Sequence, residues 1–271
     1  MILNDKKNLS VIIPCYKIDK NNYLNELLYS IVNQEENNFN VLEIILVNDS
    51  PDIDLIPFIQ PNLLSKIIII NNETNKGQAF SRNKGACIAQ GEFLHFIDQD
   101  DLIALNFYKN IQNSYDIMIG NCFLFNENKQ IRLYKSHRIK IYSFFKNTSS
   151  LNFFLIFDNI ILSPGQAIFK KEIFNNLNGF PVLENFGSDD YGLMFKYASN
   201  KIEYRFFSNA LFYHRLHRVQ GKRYLNMNLS KKDFFVQINA KTIFTKICSN
   251  NSKIIQFFKK ITYVLFNNRI S

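Results

Sequence analysis

The chain has 271 residues, 46% of them hydrophobic, enough to bury one large core or a core with an appendage. No apolar run reaches the ~18 residues of a membrane span, and the opening MILNDKKNLS lacks the apolar stretch of a signal peptide, so a cytoplasmic protein is expected. The net charge of +9 is uneven: residues 1–195 hold 17 Lys+Arg against 21 Asp+Glu, whereas residues 196–271 hold 15 against 2. The C-terminal part therefore suits an acidic partner: a phosphorylated substrate, an anionic membrane or nucleic acid. Cys15, Cys87, Cys122 and Cys248 are scattered without a CxxC pair, which argues against a disulfide frame or a zinc site.

In chain order, LSVIIPCY (9–16) predicts a fully buried strand. Leu24, Leu27, Leu28, Ile31 and Val32 are spaced for one face of a helix. VLEIILVNDS (41–50) and KIIIINN (66–72) predict two further strands, GQAFSRNKGACIAQ (77–90) a helix with small residues for close packing, and GEFLHFID (91–98) a fourth strand. Such alternation predicts an α/β fold with a mostly parallel, doubly wound sheet flanked by helices. Ligands bind beyond the carboxyl ends of such strands, where Tyr16, then Asn48 and Asp49, then Asp98 and Asp100 converge.

Further on, DIMIGNCFLFN (116–126) and QIRLYK (130–135) look like strands. SPGQAIFKKEIFNNLNGF (163–180) predicts a turn, a short strand and a helix ended by Gly179. GSDDYGLMFKYA (187–198) opens a helix with two acids, and YRFFSNALFYHRLHR (204–218) is strand-like with a basic, histidine-bearing end. From about residue 225 the chain reads as Phe- and Lys-rich helices. The expected domains are 1–220, with halves of about 1–101 and 102–220, and a basic helical extension over 221–271.

HFIDQDD (95–101) sets three acids behind an apolar strand. An EF-hand counted from Asp98 fails, because Ile103 and Lys109 stand where Gly and Glu are needed. The chain has no GxxxxGK[ST], GxGxxG or GxSxG. His95, inside the strand, reads as a core histidine. Asp101 reads as the N-cap of a helix over DLIALNFYKN (101–110). Asp98 and Asp100 leave two readings: a strand end in a loop, or a hard-cation site for Mg²⁺ or Mn²⁺ with substrate phosphates.

Placed in order, SVIIPCYK, EIILVNDSP, NKGQAFSRNKGACIAQGEFLHFIDQDD, SPGQAIFKKEIFNNLNGF, GSDDYGLMFKYA and HRLHR resemble the family 2 glycosyltransferases of the GT-A fold over roughly residues 9–220. The resemblance implies an inverting, metal-dependent transferase that moves a sugar, as a hexosyl or N-acetylhexosaminyl group, from a nucleotide-sugar donor, a UDP-sugar, to a hydroxyl of a glycan or lipid-linked acceptor. It implies a donor pocket from Pro14, Tyr16, Asp49, Gly77, Arg82, Asp98 and Gln99, a metal held by Asp100 and His217, and an acceptor side with Gly165 and Asp189. Asp190 falls at the place of the base, with Arg215 and Arg218 helping to neutralise phosphate, and His214 competes with His217. A non-catalytic sugar-nucleotide-binding partner of a membrane assembly is the alternative. Three departures stand out: Asn48 for the first Asp of D-D-G-S, Pro51 and Asp52 near the family's Gly or Ser, and Asp189 for Glu.

In the tail, Ile254, Phe257, Phe258, Ile261, Val264 and Leu265 repeat at helical spacing among lysines. Such a helix suits an anionic inner membrane face in bacterial surface-glycan synthesis, or packing on the catalytic domain or a homodimer partner. Nucleic acid is not expected, because no recognition motif accompanies the charge.

Overall fold

The computed structural model describes residues 6–18, 21–36, 38–126, 131–133, 161–182, 189–200 and 202–216. His217, Arg218 and the extension over 221–271 lie outside the described residues.

Strands β1 (Lys7–Cys15), β2 (Phe39–Asn48), β3 (Ile67–Asn71) and β4 (Phe93–Phe96) lie in the order β3-β2-β1-β4, all parallel. Leu9, Val11, Ile12 and Ile13 of β1 are all fully buried, so both faces of this strand are covered. Helix α1 (Tyr23–Val32) covers one face: Leu24, Leu27, Leu28 and Ile31 join a cluster with Leu9, Val11 and Ile13. Helix α2 (Gln78–Ile88) covers the other, and its Gly85 lies so close that a Cβ there would stand 2.5 Å from Ile12 Cγ2. The small residues of α2 thus set its distance from the sheet.

Past β4 the sheet changes direction. Strand β8 (Ala167–Lys170) is antiparallel to both β4 and β6 (Ile117–Phe125). Strand β9 (Tyr204–Arg215) runs parallel to β6 and antiparallel to the short β5 (Leu102–Ile103), and β7 (Ile131–Leu133) pairs antiparallel with β6. The sheet is therefore mixed. Parallel order holds for the first half, and the strand runs beyond β4 carry no mark of direction in their composition. Helices α3 (Lys171–Asn176) and α4 (Asp189–Ser199) follow β8 as the sequence predicts.

The helix expected over 101–110 does not form. Leu102 and Ile103 pair instead with Tyr213 and Phe212 of β9, and turns follow with Phe107, Tyr108 and Ile111 buried. Tertiary pairing has overridden a helical spacing of apolar residues.

His95 is a core residue, as its strand position implied. Its Nε2 donates to the Gly165 carbonyl at 2.7 Å, which assigns the tautomer and leaves Nδ1 to accept from the Tyr108 hydroxyl at 2.9 Å. The ring stacks on Phe107 with centroids 5.4 Å apart. Burial pushes its pKa down to about 4, although the Gly165 hydrogen bond works the other way. Among the described residues no helix is long and apolar enough to cross a membrane.

Candidate functional site

The carboxyl ends of β1, β2 and β4 open onto one crevice, and each contributes a polar loop. After β1, Pro14 is half-buried, and Tyr16 is 42% exposed. Lys17 takes a left-handed backbone, φ 49, and its N–H donates to Ser50 Oγ at 2.9 Å.

Asp49, at the end of β2, is buried. Its carboxylate accepts from the backbone N–H groups of Lys76 and Gly77 and from Asn72 Nδ2, each at 2.8 Å. These bonds fold the turn into α2, where Gly77 stands at φ 83, a backbone that glycine reaches without strain. A carboxylate has about four acceptor positions, and these bonds fill three of them. Asn48 accepts from the Ser50 N–H at 3.0 Å and donates to the Ile53 carbonyl and Asn71 Oδ1. The first departure from the family pattern thus has a structural use.

Arg82 is the centre of the site. Its side chain is 1% exposed. Nη2 is ion-paired with Asp98, and Nη1 reaches Asp189 Oδ2 at 2.6 Å. Burial works against its charge, but Asp98, Asp189 and Asp190 together outweigh that and raise its pKa above the ordinary arginine value. Gln78, one turn earlier on α2, donates from Nε2 to Asp189 Oδ1 at 2.9 Å. Asp189 opens α4, so Gln78 and Arg82 fix the first turn of that helix and with it the backbone of Asp190. Asp189 and Asp190, adjacent like charges, repel one another, and this buried cation offsets that repulsion. The sequence reading missed Gln78. Its signal was present, since residues four apart share one helix face.

Gln99 and Asp100 line a cleft of about 340 Å³ with Ile18, Tyr23 and Phe58. Both polar atoms of the Gln99 amide are engaged by the Tyr16 main chain. Asp101 is fully buried and does not cap a helix. Its carboxylate accepts from the Arg215 N–H at 2.9 Å and Ser163 Oγ at 3.4 Å, and lies 3.0 Å from His214 Nδ1. Burial raises the Asp101 pKa to about 6 against the pull of His214. For His214, burial lowers the pKa, but attraction and hydrogen bonding to Asp101, with help from Asp98 and Asp100, push it up to about 9. At neutral pH the two form a buried ion pair.

Arg215, expected to help neutralise phosphate, is engaged by protein groups on several sides. Its Nε donates to the Asp100 carbonyl at 2.8 Å and its Nη2 to Glu26 Oε2 at 2.6 Å. The guanidinium lies 3.9 Å from the Tyr23 ring centroid and 4.5 Å from that of Phe125. It braces the Asp100 loop from behind. Gly165 is buried as well; a Cβ there would stand 2.5 Å from Phe212 Cε2, so it serves close packing under the site.

Among the described residues no three His, Cys, Asp or Glu groups stand close enough to form a complete metal cage. Asp98 and Asp100 carry carboxylate oxygens, hard donors of the kind that suit Mg²⁺ or Mn²⁺ when phosphates complete the shell. Three carboxylates, Asp98, Asp189 and Asp190, act on the buried Arg82 cation, an excess of negative charge on that side of the crevice.

The family model described as glycosyl transferase family 2 matches residues 10–177. The minor teichoic acid biosynthesis protein GgaB of Bacillus subtilis is 34% identical over 119 residues, which is 42% of this chain and 13% of GgaB. Glycosyltransferase GlyA of Streptococcus pneumoniae is 33% identical over 135 residues, 48% of this chain and 18% of GlyA. The chain thus spans less than a fifth of each of these relatives. Among solved structures, S. aureus TarS 1-349 aligns with a TM-score of 0.57 at 23% identity, over 77% of this chain and 60% of that one. The same protein in complex with UDP-GlcNAc aligns at 0.56 and 21% identity, over 78% and 59%. Those likenesses establish the GT-A-like fold, and the match over residues 10–177 establishes the family: this chain is a family 2 glycosyltransferase.

Proposed function

We propose that the protein transfers a sugar, hexosyl or N-acetylhexosaminyl, from a UDP-sugar to a hydroxyl of a bacterial surface glycan or its lipid-linked precursor, with inversion at the anomeric carbon. The observation that carries this reading is Arg82, which ties the donor-loop Asp98 to the helix start bearing Asp190. One buried cation thereby sets the distance between a diphosphate site and a base.

Tyr16 offers an exposed ring for the base, with Pro14 beside it, and Asp49 keeps one acceptor position for the nucleoside. Asp98 would meet the ribose or diphosphate, and Arg82, buried behind it, would act on the donor through Asp98. Asp100 and His217 would hold Mg²⁺ or Mn²⁺; Arg215, two residues before His217 in sequence, donates its N–H to Asp101 beside Asp100. The ion, when bound, neutralises charge on the departing diphosphate. Asp190 accepts the proton of the acceptor hydroxyl as that oxygen bonds to the anomeric carbon and the bond to the diphosphate breaks. A single displacement of this kind inverts the centre, through a transition state like an oxocarbenium ion.

The relatives support a surface-glycan acceptor, because GgaB is described as a teichoic acid biosynthesis protein. The basic segment after residue 195 supports a cytoplasmic enzyme lying peripherally on an anionic membrane face. Asp190→Asn is the test. Incubated with UDP-sugars and teichoic-acid-type acceptors, it should release UDP about 10³-fold more slowly than the parent while binding UDP equally well. Unchanged turnover would remove Asp190 from the mechanism.

A further inference from the structure

The ladder between β1 and β4 ends at Ile12 and Phe96, with one more bond from the Ile97 N–H to the Ile12 carbonyl. Beyond it the two chains separate to form the crevice. Gln99 then spans the gap. Its Oε1 accepts from the Tyr16 N–H at 2.9 Å, and its Nε2 donates to the Tyr16 carbonyl at 2.9 Å. A primary amide set against one residue's N–H and C=O reproduces a two-bond rung of a sheet where no strand continues.

Tyr16 needs such a hold. The residue is 42% exposed, so burial does not anchor it, and the Lys17 ammonium 5.2 Å from its ring centroid belongs to the same loop. The next residue, Lys17, has a left-handed backbone that a lysine adopts only under constraint. The Ser50 hydroxyl restrains Lys17 from one side, and Gln99 restrains Tyr16 from the other. Gln99 also sits between Asp98 and Asp100. One side chain therefore joins the loop that presents the ring to the loop that presents the carboxylates.

We infer that Gln99 is a positioning residue for the nucleoside platform: its amide fixes the Tyr16 main chain, and with it the ring on which the donor's base stacks, in register with Asp98 and Asp100. This rests on the nucleotide-donor reading for the identity of the ligand, but the hold itself does not. A flat ring fixed in advance binds a base at lower entropic cost than one that must be ordered on binding.

The chain contains no tryptophan, so Tyr16→Trp introduces a single fluorophore at the platform. In that background Gln99→Met keeps the side-chain length and removes both hydrogen bonds. Gln99→Glu keeps the acceptor for the Tyr16 N–H but turns a carboxylate oxygen toward the Tyr16 carbonyl. Both variants should lower the tryptophan anisotropy. In the Tyr16 background both should weaken UDP binding, measured by calorimetry at fixed Mn²⁺, by about fivefold, the scale of two solvent-accessible hydrogen bonds. Unchanged anisotropy in both variants would overturn the inference, as would lowered anisotropy with unchanged UDP affinity. If no variant and no parent binds UDP while the anisotropy still falls, the positioning role stands and the nucleotide reading fails.

Discussion

Asp189 Oδ2 lies 2.6 Å from Arg82 Nη1, and the other terminal nitrogen of the same guanidinium is ion-paired with Asp98. Residues 91 positions apart in sequence are thus joined through a helix that belongs to neither. The forked, planar guanidinium is what permits this, since a lysine ammonium cannot present two parallel faces to two carboxylates.

Arg82→Met should destabilise the fold by about 3–5 kcal/mol, because it strands the buried Asp189 charge. Adding Asp189→Leu should restore much of that stability without restoring transfer, since Asp98 and Asp190 would still lack their common brace. Urea denaturation and turnover on the three proteins check both parts. Full recovery of activity in the double variant would show that Arg82 serves packing alone.

Asp101 separates two accounts of the same residue. As a helix cap its replacement by Ala would cost about 1 kcal/mol. As the buried partner of His214 and of the Arg215 N–H, its loss should cost about 3–5 kcal/mol, because a buried charge and a donor are left unmet. Chemical denaturation of Asp101→Ala decides between these magnitudes, and the contacts seen here predict the larger.

His95 gives the stability an acid limb. Its folded pKa is lowered to about 4 from 6.5. As pH falls below about 6.5 the unfolded chain takes up a proton that the folded one refuses, so stability declines, and the loss is complete once pH passes below about 4. The difference amounts to ~3 kcal/mol. His95→Gln should be less stable at pH 7 but should show a shallower acid limb, by about one proton, in denaturation midpoints recorded from pH 7 to 4.

The strands of the first half were legible because Ile and Val runs at 9–16, 41–50 and 66–72 have few alternatives to a buried parallel sheet. The acids at 98–101 were legible as a cluster, and the family resemblance offered roles for Asp98 and Asp100. Asp101 was misassigned because its partners, His214 and Arg215, lie more than a hundred residues away and leave no local trace. The ring contacts of Arg215 and its bond to the Asp100 carbonyl were hidden for the same reason, since they depend on how β9 returns to the sheet. Gln99 looked like a donor contact, and only the fold shows both ends of its amide on Tyr16. The antiparallel placement of β8 was equally hidden, since alternating apolar residues fit either direction.

The most direct test of the site is calorimetric titration of UDP with and without Mn²⁺ on the parent and on Asp100→Ala. The site described here predicts that the parent binds UDP tightly only with the ion, and that Asp100→Ala, folded by its melting curve, loses the effect of the ion. Equal binding by both proteins in the presence and absence of Mn²⁺ would contradict a cation–diphosphate site at Asp98 and Asp100.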